Sequence, residues 1–211
     1  MADAKICGIT DARALDAAIG GGARFVGFVV YPKSPRHLSR ERLAALAERA
    51  RGRVQIVAVT VDADEDVLAG IAASVRPDWI QLHGNEAPGK AAQARRYATR
   101  GLIKAISVAR SEDLAQAAAY EPVAEILLFD AKPPPGAQPG GNALAFDWRI
   151  MAGKRFSRPW LLSGGLTPSN VVEAISVSGA ALVDVSSGVE TAPGLKDPGK
   201  IAEFLAAVRR I

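Results

Sequence analysis

The feature that most limits what this chain can become is an alternation repeated eight times. Short apolar runs succeed one another along the chain, each followed by a helix-forming stretch. The first run ends at Cys7; the others are Phe25–Tyr31, Val54–Val61, Trp79–His83, Leu102–Val108, Glu125–Ala131, Trp160–Ser163 and Ala181–Ser186. Between them lie predicted helices at Asp11–Ile19, Arg40–Arg51, Glu65–Val75, Ala87–Arg100, Glu112–Tyr120 and Phe146–Met151. Two more begin at Thr167-Pro168 and at Asp197-Pro198, the last ending near Arg209. Ser39, Asp62 or Asp64, and Ser111 are suited to cap helix starts, and Pro88 and Pro168 to open a first turn. Runs this short and continuously apolar fit strands covered on both faces of a parallel sheet. Eight βα units in 211 residues, with no second domain, predict one α/β domain: a compact single-domain (β/α)8 TIM barrel spanning residues 1–211. An open doubly wound sheet is the structural alternative.

Composition narrows the setting. A chain that is 49% hydrophobic can bury one sizeable core. Its single cysteine excludes an internal disulfide framework, which makes a reducing cytoplasm the default localisation. No apolar stretch approaches the roughly 20 residues needed to span a bilayer, and the opening residues do not read as a signal peptide. The net charge of +4 fits either nucleic acid or a small anionic substrate. The basic residues are scattered and aromatics make up only 6%, so a small anion is favoured and neither nucleic acid nor a membrane is expected as partner. The oligomeric state stays open between monomer and homodimer.

A barrel of this class carries its active site at the C-terminal ends of its strands. Those ends hold Cys7, the loop containing Arg36 and His37, Gln81 and His83, Asp130, Ser163-Gly164-Gly165, and Asp184 followed by Ser186-Ser187-Gly188. The loops after strands seven and eight combine glycines, hydroxyls and a helix start, a composition that suits phosphate. Strands seven and eight separate strand one from strand six around a closed barrel. Cys7 and Asp130 therefore face each other across the mouth as a candidate base and acid. Each has a plainer reading: Cys7 as an inert buried thiol, Asp130 as a loop-fixing carboxylate. Arg36 can hold a carboxylate through two bonds or be a solvated loop residue. Gln81 and His83 share one side of their strand and line the pocket; neither is given a catalytic step. Lys5 and Asp184, each two residues before a site residue on adjoining strands, are expected to pair beneath the pocket. A thiol acting as base must be ionised, so positive groups near Cys7 are expected to favour its anion.

With these residues placed, the chain resembles phosphoribosylanthranilate isomerases from end to end. The landmarks are KICGIT (Lys5–Thr10), YPKSPRHLS (Tyr31–Ser39), QLHGNE (Gln81–Glu86), LLFDAK (Leu127–Lys132), FDW (Phe146–Trp148), LSGGLTPSNV (Leu162–Val171), DVSSGVE (Asp184–Glu190) and PGLKD (Pro193–Asp197). One departure is Ala143, where the family usually has glycine in a GG-x-G pattern. The resemblance implies an Amadori rearrangement in tryptophan biosynthesis. It converts N-(5-phosphoribosyl)anthranilate to 1-(2-carboxyphenylamino)-1-deoxyribulose 5-phosphate without metal or organic cofactor. It implies Asp130 as general acid, Cys7 as general base and Arg36 as the anthranilate-carboxylate binder. Phosphate would fall to Ser163, Gly164, Gly165, Ser186, Ser187 and Gly188. The segment Lys132–Asn142, with its run of prolines, is expected to act as a lid. Other phosphosugar barrels of tryptophan or histidine biosynthesis, or a non-catalytic phospholigand-binding barrel, are the competing readings.

Overall fold

The computed structural model describes residues 2–133 and 145–211. Most of the expected lid, and Ala143 with it, lies outside these described residues. Eight strands close into a parallel barrel in sequence order: β1 (Asp3–Cys7), β2 (Phe25–Val29), β3 (Gln55–Thr60), β4 (Trp79–Leu82), β5 (Gly101–Val108), β6 (Ile126–Ala131), β7 (Trp160–Leu162) and β8 (Leu182–Val185). Closure pairs β8 with β1, setting Lys5 opposite Asp184. The barrel expectation is met, and the open-sheet alternative is not.

Strand residues alternate between two cores. The inner one fills the barrel with Phe25, Val57, Ile103, Ile126, Leu128, Leu161 and Leu182, topped by Cys7, Val59 and Ala105. The outer one joins the strands' other faces, such as Ile6, Phe28, Ile80 and Phe129, to the surrounding helices. This two-sided burial is why the strands read as continuous apolar runs.

The helical layer is less regular than expected. The well-formed helices are α1 (Ala12–Gly20), α2 (Arg40–Ala50), α3 (Glu65–Val75), α4 (Pro88–Ala94), α6 (Val171–Ser178) and α7 (Pro198–Val208). Between α4 and α6, α5 (Ala117–Tyr120) is a single turn. Asp11, Ser39, Asp64 and Asp197 cap α1, α2, α3 and α7 through their side chains.

Four expectations need correction. The helix foreseen at Ala87–Arg100 stops at Ala94 and continues as a tight 3-10 turn at Arg95–Tyr97. The Arg95 side chain bonds the carbonyls of Ala98 and Arg100 there. Ser111 opens a 3-10 turn rather than capping a helix; the Asp113 carboxylate accepts from Ala109 and Arg110 N–H instead. Phe146–Met151 reduces to a 3-10 turn at Trp148–Met151. Helix α6 starts at Val171, not at Thr167-Pro168. Asn170 accepts from the Thr167 amide at 2.8 Å and donates to the Gly165 carbonyl at 3.0 Å, holding a separate turn ahead of the helix. One element was not anticipated: a hairpin of β9 (Glu190–Ala192) and β10 (Leu195–Lys196), inserted between β8 and α7.

Candidate active site

The inward positions nearest the strands' C-terminal ends bring the expected residues to one mouth. On β1, Lys5 is completely buried and its ammonium donates to Asp184 Oδ1 at 2.8 Å, so the expected pair beneath the pocket is present. Ser163 Oγ donates to the other Asp184 oxygen at 3.3 Å. The Ser163 amide donates to the Phe129 carbonyl at 2.8 Å. Both Ser163 donors are thus engaged within the barrel in this structure.

Cys7 is buried beside Lys5. The neighbouring position on β2 is Gly27, where a Cβ would come within 3.0 Å of the Cys7 sulfur and 3.3 Å of Lys5 Cε. The absent side chain leaves the thiol its space. Burial pushes the Cys7 thiol up from its ordinary value; Lys5 is the main opposing influence, Asp184 adds to the rise, and Lys196 pulls weakly the other way. The expected positive neighbours are present and do favour the anion, but burial outweighs them.

Arg36 is no solvated loop residue. Its guanidinium is buried and grips Glu190 through two parallel bonds of 2.8 Å, Nε to Oε1 and Nη2 to Oε2. Gly8, at φ +74°, lets this side chain cross the β1 exit, since a Cβ there would stand 2.4 Å from Arg36 Cδ. Lys196 on β10 closes the cluster, donating to Glu190 Oε1 at 2.5 Å and to the Ser186 carbonyl at 3.0 Å. Burial raises the Glu190 carboxyl, but the Arg36 bonds and the Lys196 ammonium outweigh it and hold the group below the usual carboxylate range. Glu190 and Lys196 were missed as site residues. Their only signal was position within the two motifs that flank the unforeseen hairpin.

Across the mouth, Asp130 is the penultimate residue of β6. Its Oδ1 accepts from the Ala131 amide at 2.9 Å, and its Oδ2 lies 3.2 Å from His83 Nε2. His83 Nδ1 in turn lies 2.8 Å from Gln81 Nε2. His83 therefore does more than line the pocket: it touches the candidate acid.

The two expected anion loops meet side by side. Gly164 and Gly165 adopt left-handed backbone, at φ +87° and +66°. Gly188 sits so close to the Leu166 carbonyl that a Cβ would fall 1.8 Å from its oxygen. Successive turn-type residues of this kind let backbone N–H groups converge on an anion. A hollow of about 770 Å³ at the opposite end of the barrel is lined by Arg24, Trp79, Phe156 and Trp160 among others, and holds none of the residues of this mouth. Among the described residues, no three His, Cys, Asp or Glu side chains gather as metal ligands. Among them, too, no helix is long and apolar enough to cross a membrane.

The chain matches known proteins both in sequence and in shape. The family model for N-(5'phosphoribosyl)anthranilate (PRA) isomerase matches residues 4–207. An N-(5'-phosphoribosyl)anthranilate isomerase from Caulobacter vibrioides is 53% identical over 209 residues, covering 98% of this chain and 95% of that protein. The crystal structure of the phosphoribosyl anthranilate isomerase from Thermotoga maritima superposes with a TM-score of 0.89 at 35% identity, covering 100% of both chains. A further phosphoribosyl anthranilate isomerase structure, in complex with reduced 1-(o-carboxyphenylamino)-1-deoxyribulose 5-phosphate, gives a TM-score of 0.86 at 33% identity, again over 100% of both chains.

Proposed function

The chain belongs to the N-(5'-phosphoribosyl)anthranilate isomerase family, and we propose that it performs that family's Amadori rearrangement in tryptophan biosynthesis by paired proton transfers. Asp130 gives a proton to the furanose ring oxygen of phosphoribosylanthranilate; the C1–O bond breaks and a protonated Schiff base forms. The Cys7 thiolate then removes the proton from C2, leaving an enolamine. The C2 hydroxyl proton moves to C1 as the ketone forms. Asp130 has lost one proton and Cys7 has gained one, so the reaction is a net isomerisation. The acid and base are reset by exchange before the next turnover. Both steps are proton transfers, and the mechanism calls for no metal or organic cofactor.

The observation that carries this reading is the placing of Cys7 and Asp130 on inward positions of β1 and β6, flanking the loops that follow β7 and β8. The raised thiol fits a base that ionises only when the substrate's developing cation arrives: the Schiff base carries positive charge when C2 must be deprotonated. Arg36, anchored by Glu190, receives the anthranilate carboxylate. Gly164, Gly165, Ser186, Ser187 and Gly188 receive the phosphate. Lys5 and Asp184 hold the floor between base and phosphate. The isomerase acts in the cytoplasm as a monomer or homodimer; mutually generated monomers of the dimeric enzyme from Thermotoga maritima have a related structure, with a TM-score of 0.85.

The test is turnover of freshly prepared phosphoribosylanthranilate, followed by loss of anthranilate fluorescence. Wild type should turn over. Cys7→Ser and Asp130→Asn should each lose roughly 1,000-fold or more in kcat, since general acid and base groups contribute about 10² to 10⁴ each. Both should still bind the reduced product analogue. A wild-type protein that binds phosphorylated ligands without turning this substrate over sinks the reading and leaves a phospholigand-binding barrel.

A further inference from the structure

His83 and Gln81 are the one polar pair at the mouth to which the mechanism above gives no step. Gln81 sits on β4 and His83 just past its end, two residues apart. Gln81 is completely buried. Its Nε2 lies 2.8 Å from His83 Nδ1, while its Oε1 is buried with no hydrogen-bond partner among the described residues. A buried carbonyl oxygen left unpartnered is costly. Here that cost accompanies an amide whose N–H end is committed to the imidazole.

The arrangement determines the tautomer. With Gln81 donating, His83 Nδ1 is an acceptor, so the ring proton resides on Nε2 and points to Asp130 Oδ2 at 3.2 Å. The Ala131 amide is always a donor, so Asp130 Oδ1 is an acceptor in every state. The acid's own proton therefore belongs on Oδ2. A protonated Oδ2 can give its hydrogen to a substrate oxygen while its lone pair still accepts from His83. As that hydrogen leaves, negative charge grows on Oδ2, and the His83 bond passes from a neutral to a charged acceptor, roughly doubling in strength.

We propose that His83, locked by Gln81 as the Nε2–H tautomer, is the positioning residue of Asp130: it orients the carboxyl and stabilises the charge left as the acid gives up its proton. This rests on the reading of Asp130 as the general acid. No proton passes through His83, which remains neutral with Nε2–H throughout.

The opposite amide orientation makes a different protein. If Gln81 Oε1 faced the ring, Nδ1 would carry the proton, and a neutral His83 would turn a lone pair toward Asp130. The acid's hydrogen would then be drawn to the ring and away from substrate.

The experiment has two arms on the full-length enzyme. In the first, nitrogen-15 NMR of the histidine ring reads the tautomer of the native protein near neutral pH, with His37→Gln used to assign the signals. A protonated Nε2 with a bare Nδ1 is the expected result; a protonated Nδ1 overturns the proposal. In the second, kcat and KM are measured for His83→Ala, His83→Gln, Gln81→Met and Gln81→Glu. His83→Ala should lose about 100-fold in kcat, the scale of one preorganised donor, with KM changed less than about threefold. His83→Gln, whose amide nitrogen reaches the Nε2 position, should recover at least about tenfold of that loss. Gln81→Glu replaces the donor by an acceptor and should lower kcat more than Gln81→Met, with the NMR pattern shifted to protonated Nδ1. Full kcat in His83→Ala while Asp130→Asn is inactive overturns the positioning role and leaves the acid intact. Full activity in Asp130→Asn instead overturns the acid itself. Should His83→Ala fail to fold, the tautomer measurement on the native protein decides alone.

Discussion

Two buried lysine–carboxylate pairs stand on opposite sides of the same sheet, and they are partnered differently. Lys5 and Asp184 meet inside the barrel at 2.8 Å; Lys104 and Glu86 meet outside it, also at 2.8 Å. Both pairs are almost fully buried. The outer ammonium is saturated by scaffold, bonding the Gly84 carbonyl at 2.7 Å and the Leu82 carbonyl at 3.3 Å besides Glu86, with the Tyr120 ring 5.3 Å away. Glu86 also accepts from the Asp62 and Gly84 amides, so the pair staples the loops after β3 and β4. The inner ammonium shares itself between Asp184 and the Cys7 thiol, and its pKa is raised: burial lowers it, but Asp184 and Cys7 together more than restore it. A buried charge whose partners are all fixed backbone and carboxylate serves structure. Under the proposed mechanism, one that faces the base serves chemistry, with a less complete shell of partners.

The comparison can be broken at either pair. The largest effect is expected at the outer one. Lys104→Met leaves Glu86 buried and uncompensated, which should cost about 3–5 kcal/mol of unfolding free energy. The folded fraction should keep kcat within a few-fold of wild type; urea titration and fluorescence turnover measure the two numbers separately. Replacing both members of the inner pair, Lys5→Met with Asp184→Asn, removes both charges at once. It should change stability by only about 1 kcal/mol, since neutral substitution of a whole buried pair is often near neutral. It should lower kcat by about 100-fold, a barrier change of about 2.7 kcal/mol. Unchanged turnover in that double variant would end the distinction between the pairs.

The two pairs also differ in pH response. Burial alone raises the Glu86 carboxyl, yet the Lys104 ammonium and the amide bonds outweigh it, leaving it below the ordinary carboxylate value. A lowered carboxylate contributes stability above its unfolded value, about 4.3, that disappears as pH falls through the native one. Thermal midpoints should therefore fall on acidification through that window, and the Glu86 part of this fall should be absent in Lys104→Met. Cys7 runs the other way. Its native value is raised, so its contribution to stability is present below the unfolded thiol value, about 8.5, and is lost as pH rises toward the native one. The thiolate fraction of the free enzyme, read by its ultraviolet absorbance, should climb with pH only in the alkaline range above the ordinary thiol value, and Cys7→Ser should abolish that climb.

The smallest perturbation is steric. Gly27→Ala puts a methyl 3.0 Å from the Cys7 sulfur and 3.3 Å from Lys5 Cε. It should cost about 1–2 kcal/mol of stability through overpacking and lower kcat about tenfold by displacing the base. The matching change near the outer pair, Gly89→Ala in α4, meets nothing within 4 Å and should leave kcat unchanged while adding about 0.5–1 kcal/mol of stability.

Local chemistry made much of this architecture readable in advance. The apolar runs announce the strands because each is covered on both faces. Asp11, Ser39, Asp64 and Asp197 announce helix starts because capping is satisfied within three residues. Cys7, Asp130 and the glycine-rich loops stand out because strand ends are legible once eight strands are counted, and Lys5 with Asp184 followed from strand order alone. The shortened helices were harder to foresee. Arg95 and Asn170 end or delay a helix by bonding backbone that propensity does not register.

By itself, then, the sequence determined the eightfold alternation, the barrel class and the inward-facing set of candidate residues. These depend on burial and on periods of two or three residues. Only the tertiary structure decided what each charge does. Glu190 takes the fork of an arginine 154 positions away, and His83 meets a carboxylate 47 positions on. Cys7 is raised rather than lowered because the effect of burial exceeds the pull of its lysine. Such outcomes depend on distance and dielectric, which the chain acquires only when β8 closes against β1.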